Sequence, residues 1–438
     1  MASKRKRRII AWSIIGGILA VILIFVAVCG IRWAIHKKAP EKYSSSKYNY
    51  EFNGGATDFS LDLFPYLEVD KDADELKIMQ IADPQIKFGS FTRDTKTMDL
   101  LDRAIKTEQP DICVVTGDLT LSIFTYDAFK YFANFMEERQ QYWTFTYGNH
   151  DSQFDCSKYT IYTMLSEYKY CLFDCGPSDV DGESNFLVNI FKGEKKSENL
   201  IYSLVLLDSG MYPEAENVAL SDWVYDWIKD SQMNWYEWAV KGLREIKADI
   251  QTSMFFHIPL KEFANMYYLN ELEHGNTDVP DYVKNVLQGT VEIRDVKGVV
   301  RESNKKDSEC VYGDEGYTVG IFYQGNAEGV TNHPDVFAKI KELGCTKALF
   351  VGHDHVNNLK GYYDGIYLGY GLCSGYHTYP FFNNPKIFTD KVLYNANLWT
   401  DENGKKMEKG VTVIQVSFSD ANYGVLTVND RFNSFYAK

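Results

Sequence analysis

Basic residues are in short supply in this 438-residue chain, which has 46 lysines and arginines against 60 aspartates and glutamates. Residues 1–38 hold eight of the basic residues and no acidic one, so the rest of the chain carries 38 basic and 60 acidic side chains, a net charge of −22. A surface this acidic repels polyanions. Nucleic acid is therefore not expected as a partner.

Acceptor sequences for N-glycosylation are also absent. The chain contains no Asn-x-Ser/Thr, so it offers no sign of a eukaryotic secretory route. It shows no internal repeat at the periods of solenoid proteins. Of its eight cysteines, seven lie after residue 38, which permits disulfides in an oxidising compartment without requiring them.

A long uncharged apolar run is present near the N-terminus, from Ile9 to Ile31. Its 23 residues are enough to cross a bilayer, whereas the apolar region of a signal peptide has about 7–15. We therefore expect an uncleaved membrane anchor. Five basic residues precede the run, and three follow it at Arg32, Lys37 and Lys38. The positive-inside tendency then places the N-terminus in the cytoplasm and the large domain outside the cytoplasm.

Composition divides the chain into three parts. Residues 1–38 are predicted to form a cytoplasmic tail and transmembrane anchor, and the polar, turn-rich start of 39–74 indicates a stalk and lead-in. Residues 75–438 are predicted to form the folded domain. Within it, the long polar segment 261–332 indicates an insertion that faces the substrate.

Short apolar strand candidates alternate with helical patterns after the stalk. Examples are "LKIMQIAD" before "MDLLDRAIKTEQ", and "DICVVTGD" before a helix in which Phe129, Phe132 and Phe135 recur at helical spacing. This alternation predicts a layered α/β domain. Near the C-terminus, "GIYLGYGL", "GVTVIQVSF" and "YGVLTV" follow one another without helices, which indicates an added antiparallel sheet or sandwich layer.

Polar side chains stand where five of the predicted strands end. A single aspartate after a strand is usually a turn or helix-cap residue, and a single histidine there is usually structural. Five such positions at one edge of an α/β sheet instead indicate a ligand site, because ligands bind at the carboxyl ends of the strands. The residues are Asp83, Asp118, Asn149 with His150, His257, and His353 with His355.

These residues resemble the motif set of the calcineurin-like metallophosphoesterases. That family has D-x-H, G-D, G-N-H-D or G-N-H-E, a later H and G-H-x-H; this chain has "DPQ", "GDLT", "GNHD", "FFHIP" and "GHDH" in that order, over roughly residues 75–380. The resemblance implies a layered βαβ sandwich. "SQMNWYEW" and neighbouring segments are also similar to the branch of fungal and plant phosphatases related to purple acid phosphatases.

The resemblance implies a centre of two divalent metal ions, manganese, iron or zinc. One ion would be held by Asp83, Gln85, Asp118 and His355, and the other by Asp118, Asn149, His257 and His353. Asp118 would bridge the two ions. The implied reaction is hydrolysis of a phosphate ester by attack of a metal-bridging hydroxide.

The resemblance also assigns roles beside the metals. Asn149 and His150 would contact the phosphate, and His150 would protonate the leaving oxygen. Asp151 would orient the His150 ring as its carboxylate partner. His377 lies in a loop soon after the last motif and is predicted to line the substrate pocket.

Two positions depart from the family pattern. Gln85 stands where histidine is usual, and its neutral amide should weaken the first metal or favour a manganese-like or magnesium-like ion over zinc. Leu121 stands where purple acid phosphatases have a tyrosine ligand, so no iron–tyrosinate colour is expected. A catalytically impaired metal-binding surface or sensor protein of the same fold is therefore the alternative to a membrane-anchored phosphoesterase.

Overall fold

The computed structural model describes residues 2–37, 50–87, 91–212, 225–273, 293–297, 334–355, 357–378 and 409–436. The α-helices in these ranges are α1 (Ala2–His36), α2 (Phe91–Glu108), α3 (Thr125–Glu138), α4 (Lys158–Leu165), α5 (Asp230–Ile246), α6 (Lys261–Glu273) and α7 (Val336–Leu343). The strands are β1 (Tyr66–Val69), β2 (Glu75–Ile81), β3 (Ile112–Thr116), β4 (Trp143–Thr146), β5 (Phe186–Lys192), β6 (Leu200–Leu206), β7 (Thr252–Phe255), β8 (Ile293–Lys297), β9 (Thr346–Val351), β10 (Lys360–Tyr363), β11 (Ile366–Tyr370), β12 (Gly410–Ser417) and β13 (Leu426–Phe432).

The strands form two mixed sheets. The larger sheet has the order β1-β5-β6-β7-β9-β11-β10-β8, and β6, β7, β9 and β11 run parallel in succession. The smaller sheet has the order β13-β12-β2-β3-β4, with β2, β3 and β4 parallel. Each sheet therefore gathers the carboxyl ends of its parallel strands at one edge.

Burial follows the sequence pattern in these elements. All five residues of β3 are buried, as expected for an apolar strand with neighbours on both sides. The helix α3 buries Phe129, Phe132 and Phe135, whose spacing places them on one face. The predicted α/β class is confirmed.

An apolar core contains side chains of both sheets. Ile78 and Val114 of the smaller sheet belong to the same buried cluster as Val188 and Phe350 of the larger sheet. A second core includes Trp235 of α5 together with residues of the larger sheet. The two sheets thus pack as layers, with helices contributing to both cores.

The C-terminal strands complete the two sheets and do not form an added layer. β11 pairs with β9 and β10 in the larger sheet, whereas β12 pairs with β2 and β13 in the smaller one. The predicted strands are confirmed, but the prediction of a separate antiparallel sheet is wrong. The physical reason is that β2 offers a second edge opposite β3, and pairing with β12 satisfies its backbone groups.

The folded domain begins before residue 75. Trp235 Nε1 donates to the Tyr50 hydroxyl at 2.9 Å, and the Phe52 and Phe59 rings pack against Trp238 with centroids 5.7 and 5.3 Å away. β1 then pairs with β5 at the edge of the larger sheet. The predicted stalk and lead-in, residues 39–74, is therefore corrected for residues 50–74, because their aromatic side chains pack on α5. Residues 38–49 lie outside the described residues.

The N-terminal apolar run lies within α1. The segment Ile10–His36 is long enough to cross a membrane, and an 18-residue window within it has a mean hydropathy of 3.0. A signal sequence near an N-terminus meets the same criteria of length and composition.

Only part of the predicted insertion, residues 261–332, is described. α6 buries Phe263 and Leu269, and β8 pairs with β10 at the edge of the larger sheet. The remainder lies outside the described residues, so its contact with substrate stays a prediction.

Candidate metal centre

The candidate site lies where the carboxyl ends of both sheets meet. Asp83 and Gln85 follow β2, Asp118 follows β3, and Asn149 and His150 follow β4 in the smaller sheet; His257 follows β7, and His353 and His355 follow β9 in the larger sheet. The buried Gln80 amide links the sheets here, donating to Thr116 Oγ1 at 3.1 Å and to the Val351 carbonyl at 2.9 Å. The strands alone thus bring together all five predicted motifs.

The backbone of this edge is unusual. Asp83, Gln85, Asp118 and His353 have φ values of 50°, 43°, 48° and 76°. Non-glycine residues rarely adopt positive φ; each such residue costs of the order of 1–3 kcal/mol, and it persists only where its surroundings impose that conformation. Eight non-glycine residues in the described chain have positive φ, and four of them are predicted ligands. The strain is therefore concentrated at the site.

Glycines in the motifs allow the close packing. A Cβ atom at Gly117 would come within 2.4 Å of His257 Nδ1, and one at Gly148 within 2.2 Å of the Asp118 backbone nitrogen. Side chains at these positions would push the ligands apart. The G-D and G-N-H-D motifs thus require glycine for steric reasons.

The first group of ligand atoms comes from Asp83, Asp118 and His355. All three residues are buried, and one ligand atom from each lies within 4.8 Å of the others. His355 Nε2 is 3.3 Å from Asp83 Oδ1. The Gln85 amide nitrogen Nε2 lies 3.1 Å from His355 Nε2 and 3.4 Å from Asp118 Oδ2. A half-turn of this amide would present its oxygen to the same group.

The second group comes from Asp118, Asn149, His257 and His353. His257 Nε2 lies 3.4 Å from Asp118 Oδ1, 3.0 Å from Asn149 Oδ1 and 3.2 Å from His353 Nδ1. The other ring nitrogen of His257, Nδ1, donates to the Thr116 carbonyl at 2.8 Å. That bond leaves Nε2 as the nitrogen available to a metal.

The electrostatics of the buried residues fit a cation. Burial alone would raise the pKa of Asp118, but the neighbouring His257 and His150 outweigh it and hold that pKa well below its usual range. Burial would lower the pKa of His257, yet Asp118 raises it to about 9. Burial and the adjacent His257 lower the pKa of His353 well below its usual value. The cluster therefore holds one proton tightly in a place where a divalent ion could replace it.

His150 lies at the open side of the cluster. Its backbone N–H donates to Asp118 Oδ1 at 2.9 Å, and its ring is half-buried, with Nε2 3.8 Å from Asp118 Oδ2. Ring Nδ1 lies 2.8 Å from Gln153 Oε1, which can only accept, so Nδ1 donates.

Asp151 lies in a different environment from the one predicted. Its carboxylate accepts from the backbone N–H of Gly148 at 2.8 Å and of Thr120 at 2.9 Å, and the residue is fully buried. Burial and the nearby Asp118 raise the pKa of Asp151 to about 7. The prediction that Asp151 orients the His150 ring is corrected: Gln153 contacts that ring, while Asp151 ties together the loops after β3 and β4.

His377 is buried beside α2. It is 3% exposed, and its Nε2 lies 2.9 Å from Asp94 Oδ1. Its role as a substrate-binding residue stays a prediction.

Two tyrosines and Gln153 also lie at the site, although the sequence motifs do not predict them. The Tyr212 hydroxyl accepts from Asn149 Nδ2 at 3.0 Å and from Gln153 Nε2 at 3.3 Å. The Tyr225 ring meets the His353 ring edge-on at a centroid distance of 4.3 Å. These residues follow no strand directly and have no metal-ligand spacing. The available signals were the closeness of Gln153 to the G-N-H-D motif and of Tyr212 to the end of β6.

Two mixed sheets that meet at a buried group of carboxylate, amide and imidazole side chains define an α/β protein with a metal-site-like centre. The profile of the Calcineurin-like phosphoesterase family matches residues 76–357, and the chain belongs to that family.

Relatives found by sequence agree with this family. The chain is 24% identical over 340 residues to the probable inactive purple acid phosphatase 28 of Arabidopsis thaliana, covering 70% of this chain and 72% of the relative. It is 26% identical over 263 residues to the phosphatase DCR2 of Saccharomyces cerevisiae, covering 54% of this chain and 43% of that protein. A dimetal phosphatase structure from Danio rerio aligns with a TM-score of 0.40 and 11% identity, covering 82% of this chain and 96% of that one. The predicted resemblance to plant and fungal phosphatases is confirmed at the level of distant homologues.

Proposed function

We propose that this protein hydrolyses phosphate esters at a centre of two divalent metal ions. Membership of the family supports the reaction class. The observation that carries the proposal is the position of Asp118, whose Oδ1 lies 3.4 Å from His257 Nε2 and whose Oδ2 lies 3.4 Å from Gln85 Nε2. One carboxylate that faces two groups of ligand atoms can bridge two cations.

The donor atoms fit divalent ions of the first transition row. Oxygen and imidazole donors suit manganese, iron and zinc, and the amide of Gln85 favours a manganese-like ion at the first position. The first ion would be held by Asp83, Gln85, Asp118 and His355, and the second by Asp118, Asn149, His257 and His353. When bound, such ions would neutralise phosphate charge and lower the pKa of a water molecule toward neutrality.

His150 is the residue that we assign to proton transfer. Since Gln153 Oε1 holds the proton on Nδ1, the neutral ring has a bare Nε2, and the protonated ring carries its second proton there. That proton would pass to the leaving oxygen. Asn149 would contribute its Oδ1 to the second ion, because its Nδ2 donates to the Tyr212 hydroxyl.

A catalytically impaired metal-binding or sensor protein is the second candidate. Gln85 in place of the usual histidine favours it, and several plant relatives are named probable inactive phosphatases. The presence of the remaining ligands together with His150 supports the enzyme, because a site that has lost turnover has no reason to keep them all.

The proposal includes membrane anchoring. We propose that α1 is retained, with its N-terminus in the cytoplasm and residues 39–438 outside, since five basic residues precede the apolar run and three follow it. Protease added to intact cells should digest the large domain. Protection of that domain in intact cells, with digestion after lysis, would contradict this orientation.

Aryl phosphate hydrolysis by the full chain, measured across manganese and zinc titrations, tests the reaction. Asp118→Asn keeps the size of the bridging side chain but removes its charge, and should abolish turnover. Asp102→Asn is the matched control, because Asp102 is a partly exposed carboxylate on α2 that pairs with Lys106. Turnover by the parent and by the control, with none by Asp118→Asn, would support the proposed phosphoesterase activity. Metal binding without turnover in the parent would identify the impaired protein instead.

A further inference from the structure

The end of α1 packs directly on the loops of the metal centre. Arg32 forms ion pairs with Asp127, at the start of α3, and with Asp155, where Nε lies 3.3 Å from Oδ2. The His36 ring lies on the Tyr126 ring with centroids 4.4 Å apart. These partners belong to the segments that follow the G-D and G-N-H-D motifs.

The contacts extend into the apolar run. Phe25 meets Phe124 edge-on, with ring centroids 6.5 Å apart. Phe25, Arg32 and His36 are separated by seven and four residues, so they share one face of the helix. Eleven residues of helix span about 16 Å, which is the length of α1 along which the loops lie.

Hydrogen bonds to backbone carbonyls join the same helix end to the loop that carries His150. Lys37 Nζ donates to the Ser152 carbonyl at 2.7 Å, and the Ser157 N–H donates to the His36 carbonyl at 3.1 Å. His150 and Gln153 lie in this loop. The helix end and the proposed proton donor are therefore parts of one packed unit.

Two apolar side chains beside these contacts are exposed. Ile123 precedes Phe124 and is 45% exposed, and Phe154 precedes Asp155 and is 37% exposed. Each adjoins a residue that touches α1. Single exposed apolar side chains are ordinary on a protein surface, but this pair flanks a helix of membrane-spanning length.

The depth of these side chains follows from the position of the span. The basic residues Lys4–Arg8 set where the apolar run can begin, because moving them into hydrocarbon is costly. A span over residues 9–31 is about 34 Å long and fits a hydrocarbon core of about 30 Å. Phe25 then lies about 9 Å inside the end of that span, within the lipid. Its partner Phe124 must reach the same level.

We propose that Ile123, Phe124 and Phe154 form a lipid-contacting surface that enters the leaflet in which α1 ends and holds the metal centre against the membrane. The inference rests on the proposed anchoring by α1, and it does not depend on catalytic turnover. Aromatic and aliphatic side chains enter the boundary between headgroups and acyl chains when a nearby anchor keeps them there. In this orientation, phosphate esters held at the membrane surface would have a short path to the site.

Photo-crosslinking of the full chain in phosphatidylethanolamine and phosphatidylglycerol vesicles tests this surface. Benzoylphenylalanine is introduced singly at positions 123 and 154, and lipid adducts are counted by mass spectrometry. Val425, which is 54% exposed, is the matched control. It lies far from the site, because its carbonyl accepts from the N–H of Ser417, and Ser417 pairs with Glu75 at the end of β2 opposite the site. Position 19, within α1, is the positive control. A circular dichroism spectrum unchanged from that of the parent checks that each variant is folded.

Lipid adducts at positions 19, 123 and 154, with only background at 425, are the expected result. Adducts at position 19 with background at both 123 and 154 would overturn the lipid-contacting surface while leaving the anchor intact. Recovery of a chain that lacks α1 would overturn the anchor and the surface together. Aryl phosphate turnover, measured separately, would remain the test of the proposed reaction.

Discussion

Asp118 Oδ1 lies 3.4 Å from His257 Nε2, a contact that joins the carboxyl end of β3 in the smaller sheet to that of β7 in the larger sheet. Both residues are buried, at 1% and 0% exposure. The His257 ring is fixed from its other side by the Thr116 carbonyl at 2.8 Å. The position of the candidate centre therefore depends on the packing of one sheet against the other.

Metal binding should release a proton from His257. Asp118 raises the pKa of His257 to about 9 even though burial lowers it, so this imidazole is protonated at neutral pH before a metal binds. The metal must displace that proton, and its affinity should rise with pH and level off above about 9. Calorimetric titrations with manganese at pH 7 and pH 8, in buffers of different ionisation enthalpy, would count the protons released. Equal affinities at pH 7 and pH 8, with no proton released, would contradict the displacement of a proton from His257.

His150→Asn should retain both metals and lose about 10²–10⁴-fold in turnover on esters with poor leaving groups, the range of general acid catalysis. Activated aryl esters should be affected less, because their leaving groups need little protonation. Metal content and turnover on an alkyl and an aryl phosphate are the measurements. Loss of both metals in His150→Asn would contradict the assignment of His150 to proton transfer.

Gln153 should act by positioning His150. Its Oε1 accepts from His150 Nδ1 at 2.8 Å, so Gln153→Leu should shift the basic limb of the pH–rate profile, where the proton donor is lost, as well as lower turnover. Gln153→Glu keeps an acceptor and should restore most of the rate, with the limb moved to higher pH. A uniform loss of rate at all pH values would indicate a purely structural role.

Gln85→His should raise the affinity of the first position for zinc, since imidazole suits zinc better than an amide does. The second position should change little, because the Gln85 amide lies near Asp118 Oδ2 and His355 and not among the Asn149, His257 and His353 donors. Metal stoichiometry and aryl phosphate turnover across manganese and zinc titrations would compare the two proteins. Identical profiles would show that Gln85 does not contact the metal.

Lys158→Met should destabilise the fold by about 3–5 kcal/mol, because it leaves a buried carboxylate without its partner. Lys158 Nζ lies 2.5 Å from Asp208 Oδ2, and this Asp208 side chain has no exposed surface. Urea unfolding would measure the loss, with Lys169→Met, an exposed lysine, as the control. A change within about 0.5 kcal/mol, the usual range for surface substitutions, would contradict the importance of this pair.

The same pair predicts an acid-sensitive stability. Burial raises the pKa of Asp208, but Lys158 outweighs it and the folded-state pKa is lowered. The stabilisation is then complete above the ordinary aspartate pKa of about 3.9 and is lost as pH falls through the lower folded value. Unfolding free energies measured between pH 6 and pH 3 should decline less steeply in Lys158→Met than in the parent.

The strands and the polar residues at their ends can be predicted from local sequence. Apolar runs such as "ICVVT" have a local pattern that specifies a buried strand, and a carboxylate or imidazole directly after each run must lie at a sheet edge. The order of the motifs was enough to predict the family and the two sets of ligands. The bridging role of Asp118, which follows β3, came from the resemblance to that family.

Contacts between residues that are far apart in the sequence became visible in the fold alone. The pairing of β12 with β2, the packing of Tyr50 on Trp235 and the contact of Tyr212 with Asn149 join segments with no shared local pattern. Asp151 and Gln153 follow His150 by one and three residues. The fold of their loop places Gln153 in contact with the His150 imidazole and Asp151 in contact with backbone N–H groups. Strand pairing and side-chain contacts depend on neighbours that local sequence does not specify. For this reason, the motifs could not predict these contacts.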